Sequence, residues 1–424
     1  MNKISLPLVT IFMLLLTQGI PAQDDVTVYG VFQVEMASFS MDGANTAKES
    51  RDDGMQLVDQ NMGRLGFLAT EEVDFGITEK TSPMKALVKL EFGSDSADGD
   101  SDTAADENNQ LTKGIALTKR EMIGGLKGDF GQVEIGRLKS EYKYKGGIAY
   151  DAFYATTLEA RNNGGMTGNE ANQYIVPYSG ASVSEWGHNG FNSNMIAYRS
   201  PMIGGFDFGI SYGPQKDDGA YTIGARQSSP LGEIFIATVN SGKRHDIIVV
   251  NTDPISGLSS GTTTNLDQQY ISTKIGGLLR LAGGAHRLFL QYERGKNKFS
   301  WPGGGTATEP PFATAGNTEY KVDTLFLGYQ GTIPALTHWT FVAQMGKQEF
   351  SGDAVKDDFA NEPDATTYVA GGIIYRMSHR TRLFGGTRIT KRQAQVKDVG
   401  NNLRWQDDGG ESVISIGFRK DFST

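Results

Sequence analysis

The chain has 424 residues, of which 38% are hydrophobic, 21% are charged and 54 are glycine. Its 49 acidic residues outnumber 40 lysines and arginines, and the net charge of −9 argues against a nucleic-acid partner, because phosphate binding needs a basic face. Cysteine is absent, which suits a chain that crosses an oxidising compartment unfolded.

Residues 1–22 read as a secretory signal peptide. Lys3 precedes an apolar run from Ile4 to Leu16, broken only by Ser5, Pro7 and Thr10, and Gly19, Pro21 and Ala22 follow. The run is short for a membrane span, and no later stretch reaches about 18 apolar residues. The mature chain, 23–424, is therefore expected to be exported and to lack a transmembrane helix.

Strands are expected throughout the mature chain, over 26–40, 61–74, 84–94, 112–126, 130–138, 193–200, 205–213, 219–228, 231–241, 268–281, 285–299, 319–331, 337–351, 366–377, 380–394 and 411–422. The signal is alternation. Phe206, Phe208, Ile210 and Tyr212 alternate with Asp207, Gly209 and Ser211, and Ile414, Ile416 and Phe418 alternate with Ser415, Gly417 and Arg419. In a strand such sets point to opposite faces, one apolar and one polar. Tight turns are expected at 127–129, 203–205, 229–230, 282–284 and 377–379, where Gly, Pro and Ser gather. Long polar connections are expected at 41–60, 95–111, 139–192, 242–267, 300–318, 352–365 and 395–410, alternating with the short ones.

A soluble sandwich would bury the apolar face, whereas a membrane barrel turns it to lipid. The export signal, arginines on the polar face and the alternation of short and long connections favour an all-β, 16-stranded antiparallel transmembrane barrel. So do aromatics near strand ends: Tyr29, Phe39, Phe67, Phe75, Phe92, Tyr212, Tyr292, Phe350 and Phe422 are expected to form interfacial girdles.

Several stretches carry a family likeness in order along the chain. Val28-Tyr29-Gly30 opens the first strand, and Gly63-Arg64-Leu65-Gly66-Phe67 lies in the second. Gly124-Gly125-Leu126-Lys127-Gly128-Asp129-Phe130-Gly131 and then Gly136-Arg137 mark the fourth and fifth strands, Asn194 to Pro201 the sixth, and Ser415 to Arg419 the last. The series resembles the general bacterial porins, the trimeric family of Gram-negative outer membranes. That resemblance implies a homotrimer in outer-membrane lipid and lipopolysaccharide, folded by the barrel-assembly machinery and passing small hydrophilic solutes and ions by passive diffusion. No cofactor, metal or catalytic residue is implied.

The resemblance also implies a third loop, here 139–192, folded into the lumen opposite a basic wall. Arg64, Arg120 and Arg137 match the family's wall arginines, and Lys89 joins them. Asp151 and Glu159 are the implied acids on the loop, while Arg161 stands where the family carries an acid, so the pore's field departs from the family pattern. The family ends on an aromatic; here Ser423 and Thr424 follow Phe422. Acids crowding the long connections, notably 95–107 and 353–358, are expected to give a mild cation preference.

Three rival readings remain. The first is a substrate-selective channel for sugars, phosphate or nucleosides, of which a sugar channel would need a ladder of aromatics along the lumen. An outer-membrane enzyme would need a serine and histidine with an orienting group, and the five histidines form no such set. The acidic runs offer oxygen ligands for Ca²⁺ or Mg²⁺, but with no EF-hand spacing, and the long loops also suit an adhesin.

Overall fold

The computed structural model describes residues 25–41, 54–58, 63–73, 84–93, 118–145, 150–160, 191–214, 219–242, 244–252, 259–300, 317–351, 365–397 and 403–424. Its strands are β1 (Asp25–Met41), β2 (Gly54–Val58), β3 (Arg64–Val73), β4 (Met84–Gly93), β5 (Thr118–Gly128), β6 (Gly131–Lys139), β7 (Phe191–Arg199), β8 (Phe206–Gly213) and β9 (Ala220–Ser229). They continue with β10 (Gly232–Asn240), β11 (Arg244–Thr252), β12 (Ser259–Leu281), β13 (His286–Ser300), β14 (Asn317–Thr332), β15 (Trp339–Ser351), β16 (Thr366–Ser378), β17 (Thr381–Lys397) and β18 (Leu403–Ser423).

All neighbours pair antiparallel, and β18 returns to pair with β1 from Tyr29↔Ser423 to Met41↔Glu411, which closes the sheet. Eighteen segments occupy sixteen positions in this wall. β3 pairs with the first half of β1 and β2 with the second, so β2 and β3 are two pieces of one wall strand. β10 and β11 pair with successive parts of β12 in the same way. The expected strands match these positions. The wall also reaches into stretches expected to be loops: 54–58, 244–252, 259–267 and 403–410. Polar residues there still pair, since backbone groups and not side-chain hydropathy make the ladder. Residues 112–117, expected in the fourth strand, lie outside the described residues.

The apolar set of the alternation is the exposed set. Along β8 the pattern is strict, with Phe206, Phe208, Ile210 and Tyr212 exposed and Asp207, Gly209, Ser211 and Gly213 buried. On β18, Ile414 is 69% and Ile416 56% exposed, while Val413 and Ser415 between and beside them are buried. A soluble sandwich would show the reverse. The outer face is therefore built for hydrocarbon.

Tyr212, Tyr292 and Phe422 are exposed on this outer face, as girdle residues should be. Tyr29 and Phe39 are not girdle residues: they share the face of Val31, Gln33, Glu35 and Ala37, which the two-residue period turns to the barrel interior, and Phe39 packs on Ala37 and Val413. Phe75 and the Phe350 side chain lie outside the described residues. Ser423 and Thr424 continue the seam: Ser423 pairs with Tyr29, and Thr424 N donates to the Val28 carbonyl at 3.0 Å.

Placing a charge on the outer face tests this assignment. Ile416→Arg is expected to lower the unfolding free energy in lipid by about 2–4 kcal/mol if its site lies near the bilayer midplane. Ser415→Ala, on the interior face, loses only its hydrogen bond to the buried Glu35 carboxylate, 3.0 Å long, and should cost less, about 1–2 kcal/mol. Urea titration of folding into vesicles measures both. Equal effects would overturn the facing.

Candidate functional site

The first cluster lies on the interior face of β3, β4 and β5. Opposed residues share a face, and Glu91 opposes Gly66 on one side and Glu121 on the other. Two carboxylates so placed repel one another, and bases gather round them. Arg120 Nε donates to Glu91 Oε1 at 2.8 Å, Lys89 Nζ pairs with Glu121, and Lys139 Nζ stands 3.4 Å from Glu121 Oε2. Tyr29 Oη donates to Glu91 Oε2 at 2.9 Å, its ring lying over Gly66, where an added Cβ would collide with it. Arg64 opposes Val31 and Gly93 and acts electrostatically on Glu91, while its Nε has no hydrogen-bond partner.

Arg120 reaches this face through a bulge. The β4–β5 ladder pairs Glu91 with Glu121 and Phe92 with Lys119, so Arg120 is the residue it skips. Three of the four expected wall bases, Arg64, Lys89 and Arg120, thus come together. Arg137 opposes Met122 and donates from Nη1 to Ser193 Oγ at 2.8 Å. The acids Glu91 and Glu121, and Lys139, were not expected from the sequence. The spacing of Lys89 and Glu91 on one strand face was the available signal, but which neighbour each would meet depends on register.

Two stretches after β6 pack on the interior face of distant strands. The first is a helical turn, Glu141–Tyr144, capped by Ser140, whose Oγ accepts from Lys143 N at 3.1 Å. It sits on Gly209 and Gly224, which oppose each other on β8 and β9; a Cβ at Gly209 would strike the Glu141 carboxyl, and one at Gly224 would press on Lys145. Tyr142 Oη donates to Glu293 Oε1 at 2.5 Å. Charges of alternating sign run through the turn: Glu134 pairs with Arg199, Arg199 Nε lies 2.7 Å from Glu141 Oε1, Lys145 pairs with Asp207, and Arg226 Nε lies 2.9 Å from Asp207 Oδ2.

The second stretch, 150–160, is a compact knot. Phe153, Leu158 and Ala160 pack with Phe326, Tyr368 and Phe384 from β14, β16 and β17. Burying each large side chain contributes about 1.5–3 kcal/mol. Glu35 of β1 clamps it, accepting from Thr157 N at 2.9 Å and Thr157 Oγ1 at 2.8 Å. Tyr368 Oη donates to the Leu158 carbonyl at 2.7 Å.

The two expected loop acids are found inside the knot. Asp151 accepts from Phe153 N, Ala160 N and Gln344 Nε2, each at 2.9 Å, and Glu159 accepts from Ala155 N at 2.6 Å. Asp151 is 8% and Glu159 1% exposed, so both are spent on holding the segment and neither offers a free carboxylate to solvent. Arg161 and the rest of the segment to 190 lie outside the described residues.

The sequence profile of the Gram-negative porins matches residues 10–393. The chain is a Gram-negative porin. Its fold is similar to that of an anion-selective porin from Comamonas acidovorans, with 18% identity and a TM-score of 0.61 over 94% of this chain and 100% of that one. It is also similar to OmpT of Vibrio cholerae in its trimer form, with 12% identity and a TM-score of 0.59 over 94% and 100% of the two chains. A chitoporin of Vibrio furnissii is 27% identical over 218 residues, half of the porin described here and 47% of that relative. Family and fold are those of a channel in the outer membrane.

In this porin the knot holds a buried titratable carboxyl. Burial, with Glu159 nearby, raises the Asp151 carboxyl from 3.8 to about 6, against hydrogen bonds that hold it down. Burial likewise raises Glu141 and lowers Lys145 to about 8. A raised carboxyl binds its proton more tightly in the folded knot than in the open one. Its contribution is full below about pH 4 and is lost as pH rises through about 6. Hydrogen exchange at the Phe153 and Ala160 amides, corrected for intrinsic rates, should therefore speed up from pH 5 to 7 by no more than about a hundredfold. Asp151→Asn should flatten the profile; a flat profile in the unaltered protein would refute the assignment.

Proposed function

We propose that this porin is a general diffusion channel that lets small hydrophilic solutes and ions cross passively, without covalent chemistry. A wall of sixteen strands leaves room for an aqueous channel. Segment 139–192 acts as a constriction loop in the lumen. Its parts at 140–145 and 150–160 support that reading by their contacts with interior side chains of β1, β8, β13, β15 and β16. The carrying observation is the charged group on β3–β6, Arg64, Lys89, Arg120 and Lys139 around Glu91 and Glu121. Bases and acids of the wall set a field that orders water in the narrow zone, and solute size and charge govern flux.

Glu91 and Glu121 take the place that Asp151 and Glu159 had in the sequence-based reading. Residues 1–22 serve as the signal peptide, and the barrel assembles as a homotrimer, in keeping with the trimer form of OmpT from Vibrio cholerae. The long-loop acids expected to favour cations at 95–107 and 353–358 lie outside the described residues.

Conductance in planar bilayers tests the channel itself: regular large steps are expected, and silence would refute it. The double variant Glu91→Gln, Glu121→Gln should move the zero-current potential in a KCl gradient toward anions, while Arg64→Gln should move it toward cations. No movement in either would remove this cluster from the conduction path. Unheated protein in SDS should migrate as a trimer and boiled protein as a monomer.

A second reading is favoured by the match to a chitoporin. Aromatics do lie on the interior face, with Tyr150 stacked on Phe235 at 5.3 Å and tilted against Phe289 at 5.8 Å. These rings are nearly buried against one another, which fits packing better than a sugar track. Current block by a chitin oligosaccharide, absent with a malto-oligosaccharide of equal length, would favour the selective channel.

A further inference from the structure

Three arginines stand in one row on the strands that close the barrel. Arg376 of β16 opposes Arg382 of β17, and Arg382 opposes Arg419 of β18. The row continues to Gln33 of β1, which opposes Arg419. Directly opposed residues share a face, and Gln33, fully buried, lies on the interior one. The row sits close to the tight turn between Ser378 and Thr381, at the end of the barrel where the connections are short.

Such a row is unfavourable by itself. Side chains directly opposite on adjacent strands lie about 4.5–5.5 Å apart at Cβ, and like charges there destabilise the pair. One carboxylate answers three guanidinium groups: Arg419 Nε donates to Asp421 Oδ1 at 2.8 Å. Neither Arg376 nor Arg382 makes an ion pair among the described residues, and Arg382 Nε is buried without a hydrogen-bond partner. Elsewhere on the interior face bases meet acids closely, as Arg120 does Glu91 and Arg388 does Glu411, at 2.8 and 2.6 Å. The arginine row, like Arg64, departs from that pattern.

The row is also joined to the β3–β5 cluster. Val31 of β1 opposes both Asp421 of β18 and Arg64 of β3. Across the seam, Arg376, Arg382 and Arg419 therefore lead toward Arg64, Lys89 and Arg120. The two groups come from opposite ends of the chain.

We propose that Arg376, Arg382 and Arg419 form a docking station for an oxyanion, a phosphate or carboxylate group carried by a solute, at the short-turn end of the lumen. Planar guanidinium forks match the oxygens of such groups two at a time. A bound oxyanion offsets the repulsion that the row builds in and satisfies the free donors of Arg376 and Arg382. The interior face excludes lipid headgroups, so the oxyanion arrives in solution. The station then passes it to Arg64 across Val31, or receives it from there.

The proposal rests on the chain conducting, so conductance of the reconstituted, unaltered porin in KCl is recorded first. Inorganic phosphate added to the short-turn side should then reduce the current at a saturable concentration, and added sucrose should not. Arg382→Gln, and separately Arg376→Gln, should raise the half-blocking phosphate concentration by about tenfold. Both variants should retain heat-modifiable migration and regular steps in KCl. Phosphate block that is unchanged in both variants, or absent from a conducting unaltered porin, would overturn the station. Should Arg382→Gln fail to fold, Arg376→Gln alone decides, because its exposed side chain makes no ion pair.

Discussion

A backbone that crosses hydrocarbon has no water to turn to, so each of its amide and carbonyl groups needs a partner in the wall. For strands only closure meets that demand, and the seam between β1 and β18 is where it is met. The seam joins residues nearly 400 positions apart, as in the bond from Thr424 N to the Val28 carbonyl at 3.0 Å. Once the seam forms, the two-residue period gives the wall an outer face and an inner one. Apolar side chains such as Ile414 and Ile416 then meet lipid while Ser415 between them meets the interior. The unusual sight of large aliphatics exposed in strict alternation is the direct result.

The interior has a different task, which is to hold polar groups without letting them collapse the lumen. It does so with matched ion pairs and with two anchored stretches of chain. The anchoring is done by carboxylates acting as hydrogen-bond acceptors. Glu35 takes the Thr157 amide and hydroxyl, and Asp151 takes two backbone amides and the Gln344 amide. Paired glycines at 209 and 224 supply the flat seat for the helical turn at 141–144. Asp151 and Glu159 are consumed in this way, and Glu91 and Glu121 stand among the wall bases. The same logic makes the arginine row at 376, 382 and 419 conspicuous, since its charges are left largely unmatched.

Much of this was legible in the linear order of residues. The period of two, the punctuation by Gly, Pro and Ser and the alternation of short with long connections determined the strand positions and the sixteen-strand wall, because side-chain facing and turn chemistry are local properties. The turns at 127–129, 203–205 and 282–284 fell where such residues cluster. Arg64, Lys89 and Arg120 were legible too, through short motifs with a likeness to known porins. What the tertiary structure alone decided is who meets whom. The bulge at Arg120, the opposition of Glu91 and Glu121, the burial of Asp151 and Glu159 and the interior facing of Tyr29 and Phe39 all follow from register. Register is a relation between strands, and at the seam it joins the two ends of the chain. No window of sequence holds both Arg64 and Arg419, yet β1 brings them to either side of two neighbouring interior residues, Val31 and Gln33, because a closed sheet must end where it began.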